Sequence, residues 1–159
     1  MYRDRREWAD RYTAQVLAIL NTLISHLAVL SIASDETDRK YATDLEVKLI
    51  GGTIAVRVRK PCRFRDLTLR ALLASGTKTE LAKIKEGYAF RYFYAWTDAR
   101  GNIAEWMLLD LDKLRQSDVL NQPYPLRPNG DGTSFIAIPL ETLRRSGCVI
   151  ACLLNKEAA

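Results

Sequence analysis

The chain holds a single histidine, His26, and only three cysteines, Cys62, Cys148 and Cys152, among its 159 residues. That scarcity excludes chemistry built on them. A Ser-His-Asp or Cys-His triad would have to use His26, and zinc held by paired Cys-x-x-Cys or His-x-x-x-His elements cannot be assembled. Three cysteines without a framework spacing fit free thiols in a reducing compartment, so the expected setting is a bacterial, archaeal or viral cytoplasm. There is also no Gly-rich phosphate loop: Gly51-Gly52 lies between two strand patterns, not between a strand and a helix, so no nucleotide cofactor is expected. No repeat, low-complexity tract or Gly/Ser linker divides residues 1–159, which read as a single domain.

A long uninterrupted apolar run is missing too. Residues 16–33 come nearest, but Asn21, Thr22, Ser25, His26 and Ser31 break them up. Val16, Leu20, Leu23, Leu27 and Leu30 recur at three- and four-residue steps, with Ile19 and Ile24 widening the stripe. This spacing predicts a long amphipathic N-terminal helix and no membrane span.

What the chain does carry is charge. Lys and Arg number 24 against 19 Asp and Glu, a net +5, which biases the protein toward polyanions. Residues 44–50 alternate polar and apolar, Gly51-Gly52 offers a tight turn, 53–59 alternate again, and 65–70 a third time after Pro61. The pattern predicts a three-stranded antiparallel meander. Thr79 then caps a short helix through Glu86 with Gly87 as its stop. Residues 88–96 and 103–111 read as strands, 112–117 as a short helix, 133–138 as a strand, and 140–146 as a helix closed by Gly147. The fold class is α/β, with a core over about 5–98 and a C-terminal strand-helix appendage over 99–159.

Side chains alternate along a strand, so the meander separates into two faces. Leu45, Val47, Leu49, Ile54, Val56, Val58, Leu67 and Leu69 form the apolar one. The other holds Asp44, Glu46, Lys48, Arg57, Arg59, Asp66, Thr68 and Arg70. Such a face is either a solvated sheet surface with cross-strand ion pairs or a phosphodiester site. In the second case carboxylates hold Mg2+ or Mn2+ and cations meet the phosphate. Hard oxygen ligands suit a chain this poor in His and Cys.

A helix, an acid-bearing meander, a helix and a strand, in the order αβββαβ, resemble the core of the PD-(D/E)XK nuclease superfamily, which includes restriction endonucleases and junction resolvases. The resemblance implies a metal-dependent endonuclease or resolvase acting on DNA as a homodimer. In that family an acid on one strand precedes a Glu-x-Lys triplet on the next. Here Asp44 is followed across Gly51-Gly52 by Arg57-Val58-Arg59, where arginine cannot replace a metal-binding carboxylate. Three readings remain. Glu46-Val47-Lys48 supplies the triplet, with Asp38 or Asp35 as the earlier acid, or the second carboxylate has moved to the helix, where Glu80 and Lys83 lie three apart. In the third, catalysis is lost and a nucleic-acid or protein-binding surface remains. The implied metal ligands are Asp44, Glu46, Asp66 and Asp38, the catalytic set Asp44, Glu46, Lys48, Glu80 and Lys83, and the phosphate clamp Arg57, Arg59 and Arg70. Tyr88, Phe90, Tyr92, Phe93, Tyr94 and Trp96, interleaved with Arg91, read either as stacking surfaces for bases or as a buried strand and its edge.

Overall fold

The computed structural model describes residues 7, 8, 10–23, 28–32, 45–49, 52–73 and 75–154. The chain divides into two compact units, Met1–Gly51 and Gly52–Ala159. His26, Asp35, Asp38 and Asp44 lie outside the described residues.

In the first unit, helix α1 (Thr13–Thr22) is followed by strands β1 (Ala28–Ile32) and β2 (Leu45–Leu49), which pair antiparallel from Ala28 opposite Leu49 to Ile32 opposite Leu45. The N-terminal helix is therefore short. Tyr12, Val16 and Leu20 recur every four residues and are buried, as the apolar stripe requires. The stripe stops being helical at Thr22, whose hydroxyl donates back to the carbonyl of Ile19 at 2.7 Å. Beyond it, residues 28–32 pair with β2, because an apolar run of this length fits a strand as well as another helical turn.

The second unit contains β3 (Ile54–Arg59), β4 (Asp66–Leu72), α2 (Glu80–Lys85), β5 (Arg91–Thr97) and β6 (Ile103–Asp110). These are followed by α3 (Leu111–Gln116), β7 (Arg127–Pro128), β8 (Ser134–Pro139), α4 (Leu140–Arg145) and β9 (Val149–Leu153). One sheet has the order β3-β5-β6-β9 and a second the order β4-β8-β7. The architecture is mixed α/β.

The expected meander is not formed. β2 pairs with β1, β3 pairs in parallel with β5, and β4 pairs antiparallel with β8. The cause is the attraction of β5, the most aromatic strand, which is buried along its whole length and so needs a strand on each edge. Gly52 helps bring β3 there. Its φ is +147°, and a Cβ at this position would lie 2.8 Å from Phe90 Cβ, so the glycine permits close passage beside Phe90 and does not close a hairpin. The Thr53 carbonyl then accepts from the Phe90 amide at 3.0 Å, aligning the two strands.

Residues past 98 are equally part of this architecture and are no appendage. β6 covers the second edge of β5, β9 extends the sheet beyond β6, and β8 is the partner of β4. The apolar core gathers Tyr92, Tyr94, Trp96, Met107 and Leu109 from the first sheet with Leu67, Leu69, Ile136 and Ile138 from the second. Leu111, Leu114 and Leu143 of α3 and α4 and the thiol-bearing Cys148 complete it. Each large side chain sequestered in this way contributes about 1.5–3 kcal/mol. Asp110 caps α3, accepting from the amides of Asp112 and Lys113 at 3.0 Å each, and also faces Arg91 at 3.2 Å. Among the described residues no helix is long and apolar enough to cross a membrane.

Gly52→Ala tests the close passage of β3 beside Phe90. The added methyl meets both an unfavourable φ and the Phe90 side chain, so the variant is expected to lose more than about 1 kcal/mol in urea denaturation; unchanged stability would show that Gly52 does not constrain the β3–β5 register.

Candidate functional site

The charged residues singled out on β3, β4 and α2 meet in one network inside the second unit. Along β3, Arg57 and Arg59 occupy the positions opposite Tyr94 and Trp96 of β5, alternating with Val56 and Val58. Parallel pairing puts residues opposite one another on one face, so both arginines lie beside the ring-bearing side of β5. Thr79 caps α2 by accepting from the Ala82 amide at 3.1 Å, which sets Glu80 in the first turn.

Glu80 is the centre of the network. Its Oε2 accepts from Arg57 Nη1 at 2.5 Å and from the Arg70 amide at 3.1 Å, while Oε1 accepts from the Tyr92 hydroxyl. Arg57 Nη1 also donates to the Thr68 carbonyl at 3.2 Å. The Tyr94 hydroxyl lies 2.7 Å from Thr68 Oγ1 and accepts from the Thr68 amide at 3.3 Å. Arg59 Nη1 reaches both Asp66 Oδ1 and the Tyr94 hydroxyl at 3.4 Å. Carboxylate, guanidinium and phenol are thus bonded mainly to one another and to the β4 backbone.

The electrostatics follow from this enclosure. Burial disfavours charge on Arg57, but the Glu80 carboxylate, with Tyr92 and Tyr94, outweighs it and holds the guanidinium above its ordinary pKa. Burial raises the Tyr92 phenol well above its usual value near 10, and the Glu80 charge adds to the effect. Arg57 therefore stays charged and Tyr92 stays protonated across the ordinary pH range.

Of the residues predicted from the sequence, Arg57, Arg59, Asp66, Arg70 and Glu80 are brought together. Of the clamp residues, the guanidinium groups of Arg57 and Arg59 are engaged by Glu80 and Asp66, whereas Arg70 meets Glu80 through its main-chain amide and its Nε is buried without a hydrogen-bond partner among the described residues. Lys83 is exposed on α2, while Glu80 turns into the network. Glu46 and Lys48 belong to β2 of the first unit. Among the described residues, no group of three His, Cys, Asp or Glu side chains is arranged to hold a metal ion. Tyr92, Phe93, Tyr94 and Trp96 are fully buried, so they form core and offer bases no stacking surface, Phe90 is half-buried, and Tyr88 is exposed beside Lys78.

A further ion pair lies outside the residues singled out from the sequence. Arg65 Nη2 pairs with Glu105, whose side chain is 3% exposed, and the guanidinium lies 5.3 Å from the Trp96 ring centroid. Arg65 Nη1 also donates to the carbonyls of Cys62 and Phe64. The available signal was the density of cations over 57–65, five in nine residues, which exceeds what a short strand end needs for solubility. Arg63 and Phe64 of the same segment are exposed, with Arg63 Cζ 4.8 Å from the Phe64 ring centroid.

Two substitutions test the network. Glu80→Ala strands Arg57, the Tyr92 hydroxyl and the Arg70 amide together and is expected to cost about 2–3 kcal/mol, whereas Tyr92→Phe removes one donor for about 1 kcal/mol. Because the folded state holds the Tyr92 proton more tightly than the unfolded chain, its contribution is fully present below pH 10 and declines as pH rises past that value. Thermal melts from pH 8 to 11 should fall less steeply at the alkaline end for Tyr92→Phe. Equal slopes for the two proteins would show that Tyr92 is not held in this way.

Comparison of the chain with protein-family models, with curated proteins and with solved structures finds no match.

Proposed function

We propose that this protein binds nucleic acid, with DNA the expected ligand, through the cationic segment joining β3 to β4. The observation that carries the reading is a division of labour within 57–65. Arg57, Arg59 and Arg65 are matched to Glu80, Asp66 and Glu105, while Arg63 stands at the surface with its guanidinium over an exposed Phe64. Lys60 is exposed in the same segment.

The charge distribution supports it. Gly52–Ala159 holds seventeen of the Lys and Arg residues against eleven Asp and Glu, whereas Met1–Gly51 holds seven against eight. The excess positive charge thus belongs to the unit that presents Arg63, and positive surface charge draws phosphate backbones by releasing their counterions. Binding is favoured over hydrolysis at this surface because Glu80 and Asp66 are already matched by arginines. A carboxylate that accepts from a guanidinium, a phenol and an amide is not offered to a metal ion.

Hydrolysis of the kind implied by the nuclease-like pattern would instead draw on Asp44, Glu46 and Lys48, with Asp38 as a further ligand for Mg2+ or Mn2+. One assay separates the two readings. Labelled DNA is titrated over a range of salt concentrations with EDTA present, for the unaltered protein and for Lys60→Ala/Arg63→Ala. Binding by the unaltered protein is expected, with the double variant weaker and its salt slope smaller by about 1–2. Absence of binding at low salt would overturn the proposal and direct attention to a protein partner. A parallel incubation with Mg2+ would transfer the function to hydrolysis if it produced cutting that Asp44→Ala abolished.

A further inference from the structure

We infer that the loop between β3 and β4 recognises unpaired bases, with Phe64 as the stacking platform, so that the nucleic acid taken is single-stranded or locally open and not closed duplex. This rests on the nucleic-acid reading above and deepens it.

Phe64 is 54% exposed, yet its backbone is pinned. Its carbonyl accepts from Arg65 Nη1 at 3.2 Å and from the Cys62 thiol at 3.5 Å, and the same Arg65 nitrogen holds the Cys62 carbonyl. Arg65 is itself anchored in the interior by Glu105 and Trp96. The outward setting of the ring is therefore built into the loop. A large apolar ring kept in water by a braced backbone suits a partner that covers it, and rigidity reduces the ordering cost of that contact.

The adjoining chemistry identifies the partner. Arg63 lies against the Phe64 ring, so a cationic group and an aromatic face are offered together. Single-stranded nucleic acid presents the complement: a phosphate for the cation and a bare base face for the ring. In closed duplex the base faces are hidden in the stack and only the phosphate remains available. Stacking on a phenyl ring requires no donor or acceptor pattern, so the contact tolerates any base.

The test compares a fluorescein-labelled single strand of about twenty nucleotides with the duplex of the same sequence, by anisotropy at low salt with EDTA. Phe64→Ala is expected to weaken single-strand binding roughly ten-fold or more and to leave duplex binding unchanged. Phe64→Trp, which keeps a stacking surface, is expected to retain single-strand affinity, and Arg63→Ala to weaken both substrates. Far-ultraviolet circular dichroism and urea denaturation of each variant confirm that the fold is undisturbed. Equal losses on both substrates, or no loss with Phe64→Ala, would overturn the stacking role while leaving the nucleic-acid reading intact. Failure of the unaltered protein to bind either substrate would overturn both.

Discussion

Among the described residues the outer edge of β4 is closed by side chains and not by a strand, and much of the second unit is arranged around that closure. An antiparallel edge strand turns alternate N–H and C=O groups away from its partner, and these must find other bonds if they are buried. With β8 on one side of β4, the outward groups of Thr68 and Arg70 are met by the Tyr94 hydroxyl, Arg57 Nη1 and Glu80 Oε2. Each group left unmet would cost about 1–3 kcal/mol. The network therefore couples three choices that look independent. β3 must run beside β5 in the register that sets Arg57 opposite Tyr94, α2 must begin at Glu80, and β5 must present Tyr92 and Tyr94 on one face. A slip of one residue in β3 would exchange Arg57 for Val56 or Val58 and remove the cation from Glu80.

This coupling explains which parts of the fold were legible. Local signals were sound where local physics decides: Thr79 does cap α2, β4 occupies the segment its alternation indicated, β6 the segment read as a strand, and α4 ends before Gly147. Strand partners were not legible, because alternation specifies a face and not a neighbour. Gly51-Gly52 resembled a hairpin turn, yet Gly52 is used for its missing side chain beside Phe90. Residues 28–32 continued an apolar helical stripe, yet they pair with β2. In both cases the outcome depends on residues distant in sequence, which short-range periodicity does not sense.

The candidate site was legible in composition and not in pairing. Interleaved acids and bases on β3, β4 and α2 do come together, but a metal site requires carboxylates turned toward open space, and these turn toward guanidinium groups. Glu80 shows the difference most clearly. In the sequence it stands three residues from Lys83 on a short helix, an arrangement that suggests a surface pair. In the fold it is drawn to Arg57 and Tyr92 from two different strands.

The arginines of 57–65 divide by what surrounds them. Arg57 and Arg65, with side chains 30% and 15% exposed, each replace part of their lost hydration with a carboxylate and carbonyl oxygen. Matching them in this way uses up the acids nearest the segment, Glu80 and Glu105, with Asp66 bound to Arg59. No carboxylate from this set remains to offset Arg63 at the surface. The interior pairing thus has an electrostatic consequence outside: it shields the core from charge while leaving the exposed loop cationic. Arg65 joins the two effects, since the guanidinium that Glu105 neutralises also holds the carbonyls of the loop that presents Arg63 and Phe64.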